Sequence, residues 1–267
     1  MSRFSATPEH NAQDKVAHET KSRVHQFFVL TFLCAALVFC FDSEAKAQYT
    51  DSGLWLGGFA TGKLPAPLNN AKGSWRLWTD GQLRFGDDFG SFSQGLVRPG
   101  VGYALNNTWS VWAGYAYVRT DQPYARTPTN EQRIWEQVSW QNKVGRTDLS
   151  SRTRLEQRFS SAGSGTGWRL REMGKLLHPL GQNSIWLIAV YDEFFVNLNT
   201  PGFGPKSGAD RNRAFAGPGI NLGRPLRLEL GYLNQYTFNS NGPDRVDNIL
   251  SISAFWNFSH KGSPPED

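Results

Sequence analysis

Trp75-Arg76-Leu77-Trp78-Thr79-Asp80-Gly81-Gln82-Leu83-Arg84-Phe85 changes character at every step. One parity holds Trp75, Leu77, Thr79, Gly81, Leu83 and Phe85, the other Arg76, Trp78, Asp80, Gln82 and Arg84. Successive side chains of a strand point to opposite faces, so a period of two predicts a strand with one oily and one wet side. Between residues 109 and 117 the same pattern sets Trp109, Val111, Ala113, Tyr115 and Tyr117 against Ser110, Trp112, Gly114 and Ala116. Near the C-terminus, Leu250, Ile252, Ala254, Trp256 and Phe258 oppose Ser251, Ser253, Phe255 and Asn257. Alternating segments of about ten residues have the length of a tilted strand crossing a bilayer. Aromatics stand near the ends of the apolar sets, and Trp75, Trp109, Tyr117, Trp168, Tyr232, Trp256 and Phe258 are the expected interfacial girdle.

Extending the pattern predicts strands at residues 54–60, 75–85, 96–105, 109–119, 133–144, 151–159, 168–178, 184–197, 212–222, 226–237 and 248–258. Helical periodicity is absent from this region. The connections alternate between tight (106–107, 145–149, 179–183, 223–225) and long (120–132, 198–211, 239–247), as in outer-membrane barrels with short periplasmic turns and long outer loops. Single-chain bacterial barrels have even strand numbers, so the eleven segments imply either a missed strand or one too many. Twelve is preferred to ten because the connection 61–74 is long for a periplasmic turn. The expected fold is therefore all-β: a single closed antiparallel transmembrane β-barrel of about twelve strands, with ten as the alternative.

Composition agrees: the chain of 267 residues has 27 Gly, 13% aromatic and 19% charged residues, and its mean hydropathy of −0.48 excludes a bundle of membrane helices. The one long apolar run, Phe27 to Phe41, follows Lys15, Lys21 and Arg23 and is short for a spanning helix. Ala45-Lys46-Ala47 then supplies a small-x-small cleavage pattern, so residues 1–47 read as a signal peptide, 48–258 as the barrel and 259–267 as a polar tail. Both cysteines, Cys34 and Cys40, fall in the leader, which excludes disulfides and thiol chemistry from the processed chain. The leader holds five Lys/Arg and five Asp/Glu; subtracting these from totals of 28 and 23 leaves 23 basic and 18 acidic residues. That excess is spread without a basic run, so nucleic acid is not an expected partner.

Charge concentrates on two neighbouring segments: Arg152, Arg154, Glu156 and Arg158 share one parity, followed by Arg169, Arg171 and Lys175. An Arg or Lys facing lipid costs ~2–4 kcal/mol at the midplane, so several together would approach the ~5–15 kcal/mol holding a whole domain. They are expected in the lumen. A symmetric hairpin around residues 160–167 would place Glu156 opposite Arg171 and Arg158 opposite Arg169, with Glu193, Arg227 and Glu229 as further members of the network. Glu193 is preferred to its neighbour Asp192 as the inward one, and Glu172 falls on the wrong parity, which a bulge near Met173 would accommodate. The ladder fits either of two roles: long side chains filling a narrow barrel, or a lumen selective for anions.

Catalytic signals are missing. The processed chain has two histidines, His178 at a tight turn and His260 in the tail, neither placed beside a nucleophile, and it has no metal-ligand cluster or cofactor motif. Neither glycine-rich stretch, 163–165 or 202–208, lies between a strand and a helix, so they read as loops. The expected function is non-enzymatic: a narrow channel, or a structural or binding barrel. The alternative is an enzyme acting on lipid or lipopolysaccharide.

The ordered series Trp75-Arg76-Leu77-Trp78, Arg84-Phe85, Arg98-Pro99-Gly100-Val101-Gly102-Tyr103, Ala113-Gly114-Tyr115-Ala116-Tyr117, Glu131-Gln132-Arg133-Ile134-Trp135, 152–159, Tyr191-Asp192-Glu193 and 231–236 resembles the domain-of-unknown-function 2490 family over nearly the whole processed chain. The resemblance implies an outer-membrane β-barrel and transfers no active site. The partners expected for such a barrel are outer-membrane lipids and lipopolysaccharide, with periplasmic chaperones and the barrel-assembly machinery during biogenesis.

Overall fold

The computed structural model describes residues 49–65, 74–223, 225–240 and 242–258; the expected leader and polar tail lie outside them. Eleven strands run in chain order: β1 (Tyr49–Lys63), β2 (Ser74–Gly86), β3 (Ser91–Ala104), β4 (Trp109–Thr120), β5 (Thr129–Val144), β6 (Thr147–Ser160), β7 (Gly167–Pro179), β8 (Trp186–Asn197), β9 (Gly208–Asn221), β10 (Leu226–Thr237) and β11 (Arg245–Phe258). Each pairs with its sequence neighbours in antiparallel fashion, and β1 meets β11 to close the barrel. The alternation sets the faces. Along β2, Trp75, Leu77 and Leu83 are exposed while Asp80 and Arg84 are buried inside.

The expected count of twelve, or ten, is corrected to eleven among the described residues. An odd number of strands leaves the first and last pointing the same way, and β1 and β11 accordingly pair in parallel, from Tyr49↔Arg245 to Gly62↔Phe258. The even-number argument assumes antiparallel closure, whereas a parallel ladder also pairs every backbone group it spans. This seam brings like charges together, since Asp51 stands opposite Asp247. Arg245 resolves the conflict by donating Nη2 to Asp51 Oδ2 and Nε to Asp247 Oδ1, each at 2.7 Å. Lower in the seam, Phe59 stacks on Phe255 with centroids 4.8 Å apart. At its end, a Cβ on Gly62 would stand 1.8 Å from the Phe258 carbonyl oxygen, so only glycine permits the approach.

Asp51 also anchors the turn between β2 and β3. Its carboxylate accepts the backbone N–H groups of Asp87 and Asp88 at 3.1 Å, where Asp87, Asp88 and Phe89 all adopt left-handed φ of 55°, 51° and 72°. Three non-glycine residues in that region carry strain, which the charge-assisted hydrogen bonds offset.

The β6–β7 register also differs from expectation. Glu156 faces Arg169 and Arg154 faces Arg171, so the pairing is displaced by two residues from a symmetric hairpin. The cause is that Phe159 and Ser160 extend β6 to pair with Gln132 and Glu131 of β5, while the β7 ladder stops at Arg158↔Gly167. The bulge suggested near Met173 does not occur, because this ladder is continuous and Glu172 stays on the outer face. Register shifts fall instead between Arg84 and Phe85 and between Phe195 and Val196.

Because Asp51 serves both the seam and the strained turn, Asp51→Ala is expected to cost about 2–4 kcal/mol by leaving the Asp87 and Asp88 N–H groups without an acceptor and Arg245 with Asp247 alone. Equilibrium urea unfolding measures this; a loss below about 1 kcal/mol, typical of an exposed pair, would show that the seam does not depend on the bridge.

Candidate functional site

Alternate residues of every strand point into the barrel, and those of β5 to β11 carry most of its buried charge. Glu156 lies at the centre: its two carboxylate oxygens accept from Arg171 Nη1 at 2.5 Å and Arg169 Nη2 at 2.6 Å. Glu193 Oε1 accepts from Arg171 Nη2 at 2.7 Å and Arg152 Nη2 at 2.8 Å, and Arg213 Nη1 stands 3.5 Å from its other oxygen. Glu131 holds Arg158 through both oxygens at 2.8 Å and also accepts from Arg133. Asp210 takes Arg211 Nε at 2.9 Å and Arg169 Nη1 at 3.3 Å. Isolated charges at such depth would be costly, but shared bidentate geometry compensates the burial of each guanidinium.

A second group forms where Lys175 Nζ donates to both oxygens of Glu229, at 2.8 and 2.7 Å, and Arg227 Nε donates to the same carboxylate at 3.0 Å. Lys175 belongs to β7, yet its ammonium lies 4.4 Å from the Phe255 ring on β11. That contact is a chord across the lumen. Phe195 is another hub: the guanidinium carbons of Arg213, Arg171, Arg169 and Arg211 lie 4.6, 4.7, 5.3 and 5.8 Å from its ring centroid. A desolvated cation on an aromatic face gains about 2 kcal/mol, which explains why a ring of buried arginines collects here.

The structure places all ten charged residues singled out from the sequence on the inner wall, and nine of them fall in the two groups. Arg154 behaves differently from its neighbours. It faces Arg171 across the ladder, and its guanidinium turns away to Gln137 Oε1 at 2.8 and 2.6 Å and lies 4.3 Å from the Trp135 ring. Trp75, Trp109, Tyr117, Trp168, Tyr232 and Trp256 are exposed on the outer face and Phe258 is half-buried. Tyr232 lies midway along β10, so these aromatics do not all stand at strand ends.

Several interior residues were not singled out from sequence. Asp80 receives Arg98 in a two-pronged contact, at 2.8 and 2.9 Å, plus Trp78 Nε1 at 2.7 Å. Glu131, Asp210, Arg245, Asp247 and Asp51 belong to strands that start three to five residues before the segments predicted from alternation. A more generous extension of each strand toward the long loops would have found them. On the outer face, Glu172 accepts from the hydroxyls of Ser151 and Thr153, Asp192 accepts from Asn212 Nδ2 at 3.0 Å, and Glu136 accepts from Gln157 Nε2 at 3.2 Å.

The network residues and the long loops together line a cavity of about 670 Å³, bordered among others by Trp55, Arg84, Arg171, Arg213, Tyr191 and Phe215. Pro123 and Tyr124 of the connection 121–128 close part of it, held by Arg245 Nη1 donating to the Pro123 carbonyl at 3.3 Å. Burial pushes the Tyr124 phenol up from its ordinary value and nearby Asp247 adds to the shift, so the hydroxyl remains a donor at neutral pH. Among the described residues, no three His, Cys, Asp or Glu side chains are grouped to hold a metal, and His178 Nδ1 lies 2.9 Å from Thr147 Oγ1.

No solved structure matches the chain. A protein of Methylorubrum extorquens, described as uncharacterized, is 32% identical over 236 residues, which covers 86% of this chain and 97% of the relative. The family model described as "Protein of unknown function (DUF2490)" matches residues 52–247, from the seam strand through to the start of β11. On that match and that relative, the chain belongs to the DUF2490 family.

Proposed function

We propose that the processed chain is a non-enzymatic β-barrel of the bacterial outer membrane, with a lumen built to hold its own side chains and a small ligand, not to pass ions freely. The observation that carries this reading is the inversion of polarity. Val97, Val101, Ile134 and Leu230 are 46–50% exposed, while Arg154, Glu156 and Glu229 are at most 2% exposed. Soluble monomers rarely expose contiguous apolar patches beyond a few hundred Å², whereas hydrocarbon requires an oily wall with every backbone group paired. The outer carboxylates Glu136, Glu172 and Asp192 each have a hydrogen-bonding neighbour, which lowers the cost of their placement. An apolar hollow of about 380 Å³ on the outer face, bordered by Leu77, Val101, Ala113 and Phe258, suits a hydrocarbon chain.

Lumen chords favour packing over conduction. Lys175 reaches toward Phe255, Arg213 lies 4.8 Å from the Trp55 ring, and Arg245 ties the loop at Pro123 across the mouth. The outer-membrane lipids and lipopolysaccharide are then the surroundings of the wall, and chaperones and assembly machinery its partners during biogenesis.

Membrane fractionation and gel migration test the location. The expected result is a chain beginning at Gln48, retained in the outer-membrane pellet after osmotic shock, whose unheated form migrates faster than the boiled one. Release into the soluble periplasmic fraction would end the membrane reading. In planar bilayers the wild type is expected to show no steady conductance, and Arg171→Ala to lose about 3 kcal/mol or more of unfolding stability by leaving Glu156 and Glu193 short of a partner. Ohmic, anion-selective current from the wild type would instead favour a channel. Mass spectrometry of outer-membrane lipids from deletion and overexpressing cells is expected to show unchanged profiles; a consistent change in one lipid class would replace this reading with an enzymatic one.

A further inference from the structure

The inner wall is short of negative charge, and the shortage falls on identifiable atoms. Among the described residues, eleven interior cations share eight carboxylates through ion pairs. Arg84 and Arg154 have none. Arg154 lies against Trp135 and away from the cavity, but Arg84 lines it. Arg84 is 7% exposed and donates Nη1 to Gln94 Oε1 at 2.5 Å and Nη2 to Gln82 Oε1 at 2.7 Å. Its Nε–H meets no acceptor, and two further buried polar atoms, Trp55 Nε1 and Tyr124 Oη, have no partner but each other, the indole N–H facing the phenol oxygen.

These three groups are close together. The Arg84 guanidinium carbon is 3.9 Å from the Trp55 ring centroid, the Tyr124 hydroxyl lies beside Trp55 Nε1, and all three residues border the same cavity. Buried donors are nearly always satisfied in native proteins, and a charged donor without a partner is the costliest exception. Water satisfies a donor but does not neutralise a guanidinium. Two free donors, Arg84 Nε–H and the Tyr124 O–H backed by the Trp55 indole, around an uncompensated positive charge therefore suit an oxyanion.

The size of the space extends the argument. About 670 Å³ falls within the ~300–1,000 Å³ range of small-molecule sites and far exceeds what a bare inorganic anion fills. Tyr191 and Phe215 stack with centroids 4.9 Å apart on the same lining, and Phe195 and Phe255 add further apolar surface. We propose that this cavity binds an organic oxyanion, a phosphate monoester or a carboxylate on an apolar body, whose oxygens are held by Arg84 Nε and Tyr124 Oη, with Trp55 Nε1 steadying the phenol. Tyr124 sits on the connection 121–128, so ligand binding ties that loop to the wall. The inference deepens the binding-barrel reading and rests on the closed lumen, not on the membrane location.

Isothermal titration calorimetry of the processed full chain in detergent micelles tests it, with phenyl phosphate, benzoate and inorganic phosphate as probes. Phenyl phosphate or benzoate is expected to bind saturably and at least about tenfold more tightly than inorganic phosphate, and the tighter of the two identifies the headgroup. Tyr124→Phe removes a loop hydroxyl whose neighbour is the Trp55 indole N–H and is expected to weaken binding about tenfold, as loss of a charged hydrogen bond does; Arg84→Gln is expected to abolish it. The unheated gel band serves as the fold control for every variant. Saturable heat from neither organic probe at millimolar concentration, with the compact band intact, overturns the ligand site and leaves the barrel standing. Binding unchanged in both variants does the same, and absence of the compact band in the wild type overturns both.

Discussion

A closed sheet gives every strand one inner and one outer face, and a chain that places oily residues outside must store its charge within. In this barrel that stored charge is unequal. Glu156, Glu193, Glu131, Asp210 and Glu229 each hold more than one cation, Phe195 carries four of the paired arginines, and Arg84 and Arg154, which have no carboxylate, lean on Trp55 and Trp135. Removing water from so many guanidiniums is costly, and only shared carboxylates and π faces make it tolerable. Among the described residues this leaves two unmatched buried guanidiniums, Arg154 against Trp135 and Arg84 on the cavity.

Closure depends on a second local solution. With eleven strands the last edge arrives parallel to the first, and the in-register seam sets Asp51 against Asp247. Arg245 spans both and also grips the loop that carries Tyr124. One side chain therefore couples seam, mouth and cavity, so a change of loop position at the mouth would be felt at the junction of the sheet.

The long-loop end thus differs in kind from the turn end. Tight turns such as residues 145–146 and 105–108 simply reverse the chain, whereas the connections 121–128 and 198–207 lay Tyr124 and Phe203 over the lumen. Phe203 meets the Arg158 guanidinium at 5.7 Å, so this loop too is anchored to the charged wall. The proposed binding role rests on loops, aromatics and unmatched charge that face one enclosed space.

The sequence by itself determined the strands, their faces and the inward direction of the arginine ladder, because a period of two is local and the penalty for misplacing a charge is large. It also favoured Glu193 over Asp192 on parity alone, and the structure puts Glu193 at the centre of three arginines while Asp192 pairs outside with Asn212. It missed the first residues of β1, β3, β5, β9 and β11, because toward the long loops both faces become polar and the alternation fades. Only the tertiary structure decided the strand count, the two-residue shift between β6 and β7 and the meeting of Trp55, Arg84 and Tyr124. Those depend on which edges close and how far each strand runs past its neighbour, and these long-range pairings leave no mark in the hydropathy of any single segment.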